Sequence, residues 1–77
     1  MNLIRSYLND NDFKLNITNK LIHIDNIQSV SKLEENIISL NFEDFKLIIE
    51  GSNFTIKKLI EREILFTGII KTIRFEK

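Results

Sequence analysis

The chain has 77 residues, and its eleven lysines and arginines balance eleven aspartates and glutamates, so the formal net charge is zero. This length allows one domain, whose core usually supplies only about 3–5 kcal/mol of net stability, and the charge balance gives no basic excess to attract a nucleic-acid backbone. Cysteine is absent, which excludes disulfides, thiolate metal sites and cysteine nucleophiles. We expect a cytoplasmic domain, because residues 1–8 lack a signal-peptide core and no apolar run approaches the ~20 residues that span a bilayer.

The first twelve residues differ in pattern from the rest and form an N-terminal segment, residues 1–12. Four apolar side chains recur there at helical spacing: Leu3, Ile4, Tyr7 and Leu8. The polar run at residues 9–12 would end such a helix, and a helix this short is marginal in water. We expect the segment to pack on the rest of the domain, cover a strand edge or fray; docking to a partner or membrane surface is the alternative.

From residue 13 onward, apolar and polar residues alternate, which predicts β-strands. The runs at 13–17 and 21–27 flank the turn residues 18–20 and predict a hairpin. Eight such runs, of which the one at 27–33 is weaker, give about seven short strands with a turn every 8 to 12 residues, which is typical of a sandwich or small barrel. The remaining runs lie at residues 27–33, 37–42, 45–50, 54–59, 64–67 and 69–75.

The clearest alternation lies at residues 45–50 and is followed by a glycine. Residues 51–53 read Gly-Ser-Asn. Glycine reaches positive φ without steric cost and asparagine tolerates it, so Gly51 and Asn53 predict a tight turn and a central hairpin. Gly68 is predicted to mark a further structural turn before the last strand.

Two pairs of isoleucine and leucine residues break the period of two. Ile56 and Leu59 are three apart, as are Ile70 and Ile73, so a regular strand would send the members of each pair to opposite faces. Either both faces are buried or a β-bulge redirects one residue. A bulge near residues 71–72 would return Ile70 and Ile73 to one face.

If both faces are buried, Ile48, Leu65 and Ile69 line a second apolar surface, which is our candidate interaction surface. Each large apolar side chain buried there would contribute roughly 1.5–3 kcal/mol. The sequence therefore predicts an all-β protein, an antiparallel sandwich or roll, that associates with itself as a homo-oligomer.

A search for chemistry gives no catalytic, cofactor-binding or metal-binding residues. His23 and Asp25 share one strand face, but a third and fourth metal ligand at a recognisable spacing are missing, and an exposed surface pair is the commoner interpretation. The acidic pairs lie in predicted turns, where solvated charge is expected. We expect no enzymatic activity, no cofactor and no small-molecule substrate. The acidic pairs are Glu34 with Glu35, Glu43 with Asp44, and Glu61 with Glu63.

The six phenylalanines could serve as stacking platforms for single-stranded nucleic acid. They are spread along the chain without clusters of arginine or lysine, so we interpret them as core and expect no nucleic-acid partner. A small barrel that binds single-stranded nucleic acid is the alternative function.

Residues 47–75 combine an apolar strand that ends at Gly51, a strand that carries Asn53, and a closing segment with Gly68 and Phe75. In this pattern the second half of the chain resembles the YabP/YqfC family of sporulation proteins. Members share an apolar strand ending in glycine, a strand with an asparagine and an apolar pair, and a closing apolar-x-Gly-x-Ile-x-x-Ile-x-Phe pattern. A Gly-containing turn that members tend to carry is replaced here by Asp25 and Asn26. The matching residues are Ile49, Gly51, Asn53, Phe54, Ile56, Leu59, Ile64, Phe66, Gly68, Ile70, Ile73 and Phe75.

The resemblance implies a small, all-β, cytoplasmic and non-enzymatic protein needed during endospore formation. Members of the family tend to be encoded beside integral membrane sporulation proteins. We therefore expect a structural or adaptor module that docks to a membrane-protein partner and reaches the membrane surface through it. Strand addition at an exposed edge is the expected mode of docking.

Overall fold

The computed structural model describes residues 14–77, and every regular element in that range is a β-strand. The all-β, antiparallel prediction is thereby confirmed. The N-terminal segment, residues 1–12, and the predicted start of the first strand at Phe13 lie outside the described residues. The strands are β1 (Lys14–Thr18), β2 (Leu21–Asp25), β3 (Ser29–Leu33), β4 (Ile37–Asn41), β5 (Lys46–Ile60) and β6 (Glu63–Glu76).

The six strands form one antiparallel sheet in the order β1-β2-β6-β5-β4-β3. β2 pairs with the first part of β6, at residues 63–67, and β4 pairs with the first part of β5, at residues 46–50. The long β5–β6 hairpin is therefore shared between two halves. We call them the β2 half and the β4 half. The β2 half contains β1, β2 and residues 63–67 of β6, and the β4 half contains β3, β4 and residues 46–50 of β5.

The two halves contribute to one buried core. Because side chains alternate along each strand, the β2 half directs one apolar set inward and the β4 half directs another. The two sets belong to a single cluster, which gives the sandwich or roll arrangement. Its fully buried members are Ile22, Ile24, Ile64 and Phe66 from the β2 half and Ile38, Leu40, Leu47 and Ile49 from the β4 half.

The predicted turns at residues 51–53 and at Gly68 are wrong, because β5 and β6 run through them without reversing. Gly51 is needed for a close approach instead: a Cβ built on it would lie 1.9 Å from the backbone oxygen of Ile69. Positive φ occurs nearby, 57° at Asn53 and 146° at Gly68. These residues bend the β5–β6 ribbon between the two halves.

The chain reverses at residues 61–62, where Glu61 has a φ of 48°. Two pairs of predicted strands are consequently one strand each. The runs 45–50 and 54–59 join in β5, and the runs 64–67 and 69–75 join in β6. Within residues 14–77 the sheet has six strands rather than about seven.

Bulges explain both breaks in the period of two. Thr72 pairs with Glu50 and Ile70 with Gly51, which leaves Lys71 as the extra residue, and both Ile70 and Ile73 pack against the core. Of the two alternatives that the sequence left open, the bulge near residues 71–72 is the one that occurs.

A second bulge at Lys57 does the same for the other pair. Ile56 lies opposite Phe66 and Leu59 lies opposite Ile64. Because Phe66 and Ile64 are core residues two apart in β6, Ile56 and Leu59 are on the same face.

Several predicted turns are also confirmed. Asn19 and Lys20 have φ values of 51° and 71°, the signature of a two-residue type I′ hairpin between β1 and β2. Asn26, with a φ of 68°, interrupts the chain after β2. The connection from β4 to β5 is closed by a 2.8 Å hydrogen bond from the Phe42 N–H to the Phe45 carbonyl oxygen.

Candidate interaction site

The three residues of the predicted interaction surface lie on different parts of the sheet. Ile48 is in the β4 half, between Ser39 and Arg74 in the register, and is only 8% exposed. Leu65 is in the β2 half and partly buried. Ile69 lies at the bend and is 56% exposed. Of the three, Ile69 is therefore the residue most open to a partner.

Ile69 belongs to an open apolar groove that sequence analysis did not identify. The groove has a volume of about 360 Å³ and lies between the tip of the β1–β2 hairpin and the bend of β6. Ile22, which is 1% exposed, lies at its base, whereas Ile17 is 56% exposed. The lining residues are Ile17, Lys20, Ile22, Gly68, Ile69 and Ile70.

The groove exists because β6 leaves β2 at Gly68. The last pair of the β2–β6 ladder is Leu21 with Thr67, and Gly68 then takes a φ of 146°, in a region that favours glycine. A Cβ at Gly68 would lie 2.5 Å from Cδ1 of the Phe54 ring. The bend thus needs glycine for both its backbone angle and its space, and it separates Ile69 from the hairpin tip.

The groove adjoins β1, whose register is regular along its whole length. β1 pairs with β2 from Lys14 opposite Asp25 to Thr18 opposite Leu21 without a shift. Among the described residues, β1 pairs with no other strand. It is therefore an edge strand of the described sheet.

The other edge segments are interrupted by bulges, whose extra residues are Ser31 in β3 and a lysine in each of β5 and β6. The register of β3 shifts between Val30 and Lys32. The extra residues Lys57 of β5 and Lys71 of β6 lie in segments that, within residues 14–77, pair on one side only. Bulges and edge lysines obstruct the addition of a further strand. β1 is the described edge without a bulge, and its one lysine, Lys14, is its first residue.

The hairpin geometry shows which backbone groups of β1 point away from β2. Residues that flank a two-residue turn form a hydrogen-bonded pair, and hydrogen-bonded pairs alternate from there along an antiparallel ladder. Thr18 and Asn16 therefore direct their backbone groups at β2. Leu15 and Ile17 direct theirs at the edge, and the side chain of Ile17 also lines the groove.

Three of the phenylalanines are core residues, as predicted, but the prediction is wrong for Phe75, which is 57% exposed. Phe42 and Phe54 are each 7% exposed and Phe66 is fully buried. The Phe54 and Phe66 rings meet edge to face, with centroids 5.4 Å apart. These three rings are not available for stacking on a base.

Residues 14–77 contain no helix long and apolar enough to cross a membrane. This finding concerns the described part of the chain alone.

Comparisons with known proteins identify the family. A model described as the YabP family matches residues 9–77. A protein named "Uncharacterized protein YqfC" from Bacillus subtilis (strain 168) is 35% identical over 54 residues, which make up 70% of this chain and 58% of that relative. The chain thus spans just over half of that relative's length. No solved structure matches this chain.

These matches confirm the resemblance to YabP/YqfC proteins that the residues of the second half carry. The family match includes β1, the groove and the bends of β5 and β6, since all of them lie within residues 9–77. The chain therefore belongs to the YabP family, a membership that suggests a sporulation-associated protein.

Proposed function

We propose that this protein is a non-enzymatic structural or adaptor module of endospore formation that associates with itself and docks to a membrane-bound sporulation partner. Membership of the YabP family supports the link to sporulation. The observation that carries the adaptor role is the regular edge of β1 beside the apolar groove.

Strand addition is the binding mode that fits this arrangement. An incoming strand would exchange backbone hydrogen bonds with Leu15 and Ile17 and place an apolar side chain in the groove. Side chains of the added strand alternate between the two faces, so alternate residues would enter the groove and the others would face solvent. An acidic residue of that strand would suit Lys20, which is exposed at the rim.

A second copy of the chain can use the same edge. Two antiparallel β1 strands related by a two-fold axis would join their sheets through an isologous interface. The exposed surface of Ile17 and Ile69 would be covered, contributing about 1 kcal/mol per side chain. Such a dimer should be reversible, and a membrane-bound partner strand would compete with it for β1.

Complementation of a deletion strain tests the proposal. The strain receives wild-type protein, Ile17→Lys or the matched control Ile60→Lys, whose isoleucine is 51% exposed on β5 and lies opposite Glu63. A lysine at position 17 places a charge in the groove, so we expect that variant to fail to restore heat-resistant spores. Ile60→Lys should restore them, and circular dichroism should show that both variants fold.

Two outcomes would contradict the proposal. Normal sporulation in the deletion strain would remove the sporulation role. Full restoration by Ile17→Lys would show that the groove and the β1 edge are not the docking site.

A further inference from the structure

Three side chains that can ligate a metal ion meet on the outward face of the β2 half. His23 and Asp25 are two apart on β2, and Asp25 lies opposite Glu63 of β6 in the register. One potential ligand atom from each residue lies within 4.8 Å of the other two, and His23 Nε2 is 3.3 Å from Glu63 Oε1. We propose that His23, Asp25 and Glu63 form a binding site for a divalent transition-metal ion such as Zn²⁺.

The donor set favours such an ion over the harder cations. Mg²⁺ and Ca²⁺ select oxygen ligands, whereas an imidazole nitrogen suits Zn²⁺ and related metals. Zinc–ligand bonds of about 2.0–2.2 Å place ligand atoms about 3–4 Å apart around the ion. Small side-chain rotations therefore close the 4.8 Å spread. Three protein ligands leave a fourth position for water or a group from a partner.

The backbone around the three residues is fixed by strand pairing. β2 and β6 pair without a register shift from Leu21 to Asp25. Just beyond Asp25, the Ile27 N–H donates a 3.0 Å hydrogen bond to the Arg62 carbonyl oxygen, and the Arg62 Nε–H donates to the Ile27 carbonyl oxygen at 3.4 Å. The ligands thus lie on paired strands whose ends are held together by two hydrogen bonds, which limits the reorganisation that metal binding requires.

Lys58 provides a way to distinguish a metal site from an ordinary ion pair. Its Nζ is 3.7 Å from Glu63 Oε1, and it lies opposite Leu65, the β6 neighbour of His23 in the β2–β6 register. The ammonium group and a metal ion would compete for the same carboxylate. Removing the ammonium should therefore strengthen metal binding.

The spacing along the chain could not reveal the third ligand, because Glu63 is 40 residues from His23. Pairing of β2 with β6 brings them together. The sequence expectation of no metal site rested on the apparent lack of this ligand.

Calorimetric titration of the chelator-treated chain with ZnCl₂ tests the proposal, with MgCl₂ as the comparison ion. We expect one Zn²⁺ per chain. Glu63→Gln, which preserves shape, and His23→Ala should each weaken binding by at least about tenfold, since even loss of an outer-shell partner commonly costs that much. The matched control is Glu61→Gln, an exposed carboxylate two residues away, which should bind like wild type. Lys58→Met should bind more tightly.

Thermal melts of the metal-free variants verify folding, and Glu63→Gln remains informative if His23→Ala does not fold. Absence of Zn²⁺ binding, or equal affinities in wild type and Glu63→Gln, would overturn the proposal. Loss of binding in Lys58→Met would also contradict it, since the lysine is assigned the role of a competitor.

Discussion

Replacement of Gly51 by alanine tests the origin of the bend between the two halves. The added Cβ would lie 1.9 Å from the Ile69 backbone oxygen and 2.9 Å from Cζ of Phe54, whereas ordinary contacts begin at 3.4 Å. The Ile69 carbonyl would have to retreat by about 1.5 Å, which disturbs the pairing of β5 with β6. Forced backbone shifts of this kind cost about 1–3 kcal/mol and occasionally more.

We expect Gly51→Ala to lower the free energy of unfolding by about 3 kcal/mol, close to the whole net stability of a domain this small. Urea unfolding followed by far-UV circular dichroism measures the change. With a slope of about 1 kcal/mol per molar urea, the midpoint should fall by about 3 M.

The matched control is Ser52→Ala, at the next position of β5, which adds no atoms. Its expected change is within about 0.5 kcal/mol of wild type. A Gly51→Ala protein as stable as Ser52→Ala would refute the close approach of β5 and β6 at the bend.

Two further substitutions should shift stability in opposite directions. Phe66→Ala should lower the free energy of unfolding by about 3–5 kcal/mol, since the ring is fully buried against Phe54. The control Phe75→Ala, at a ring that is 57% exposed, should lower it by only about 1 kcal/mol. Equal losses of stability for the two variants in thermal melts would contradict the assigned core. Lys20→Gly should raise the free energy of unfolding by about 0.5–1 kcal/mol, because Lys20 holds a φ of 71° that glycine adopts freely. A urea midpoint below that of the wild type would argue against the type I′ turn.

Much of the fold follows from local patterns in the sequence. Alternation of apolar and polar residues marks a strand because successive side chains point to opposite faces. A break in that period within an otherwise extended run indicates either a bulge or burial of both faces, and the pairing of β5 with β6 shows that a bulge at Lys71 is the answer. The turn residues at 18–20 likewise predict the β1–β2 hairpin, and Asn19 and Lys20 both have positive φ, as a type I′ turn requires.

The bend could not be read in the same way, because turns and bulges use the same residues. Gly51 and Asn53 have the chemistry of a chain reversal, yet here they accommodate a close approach and a positive φ within one strand. Which role a glycine takes depends on the strand beside it. That strand, β6, is specified by residues far along the chain.

The candidate sites depend on such distant neighbours as well. The groove joins Ile17 to Ile69, and the proposed metal site joins His23 to Glu63. Neither pair has a spacing that indicates proximity. Of the residues that line the groove, only Ile69 belongs to the interaction surface that the sequence predicts, because its apolar side chain falls on the second strand face.

Self-association through β1 is the central property proposed for this protein, and light scattering across a concentration series measures it. The chain has a mass of 9.1 kDa. We expect the wild-type mass to approach twice that value as concentration rises and to fall to the monomer on dilution. Ile17→Lys should remain monomeric throughout. A wild-type chain that stays monomeric at every concentration, or a dimer unchanged by Ile17→Lys, would contradict the account.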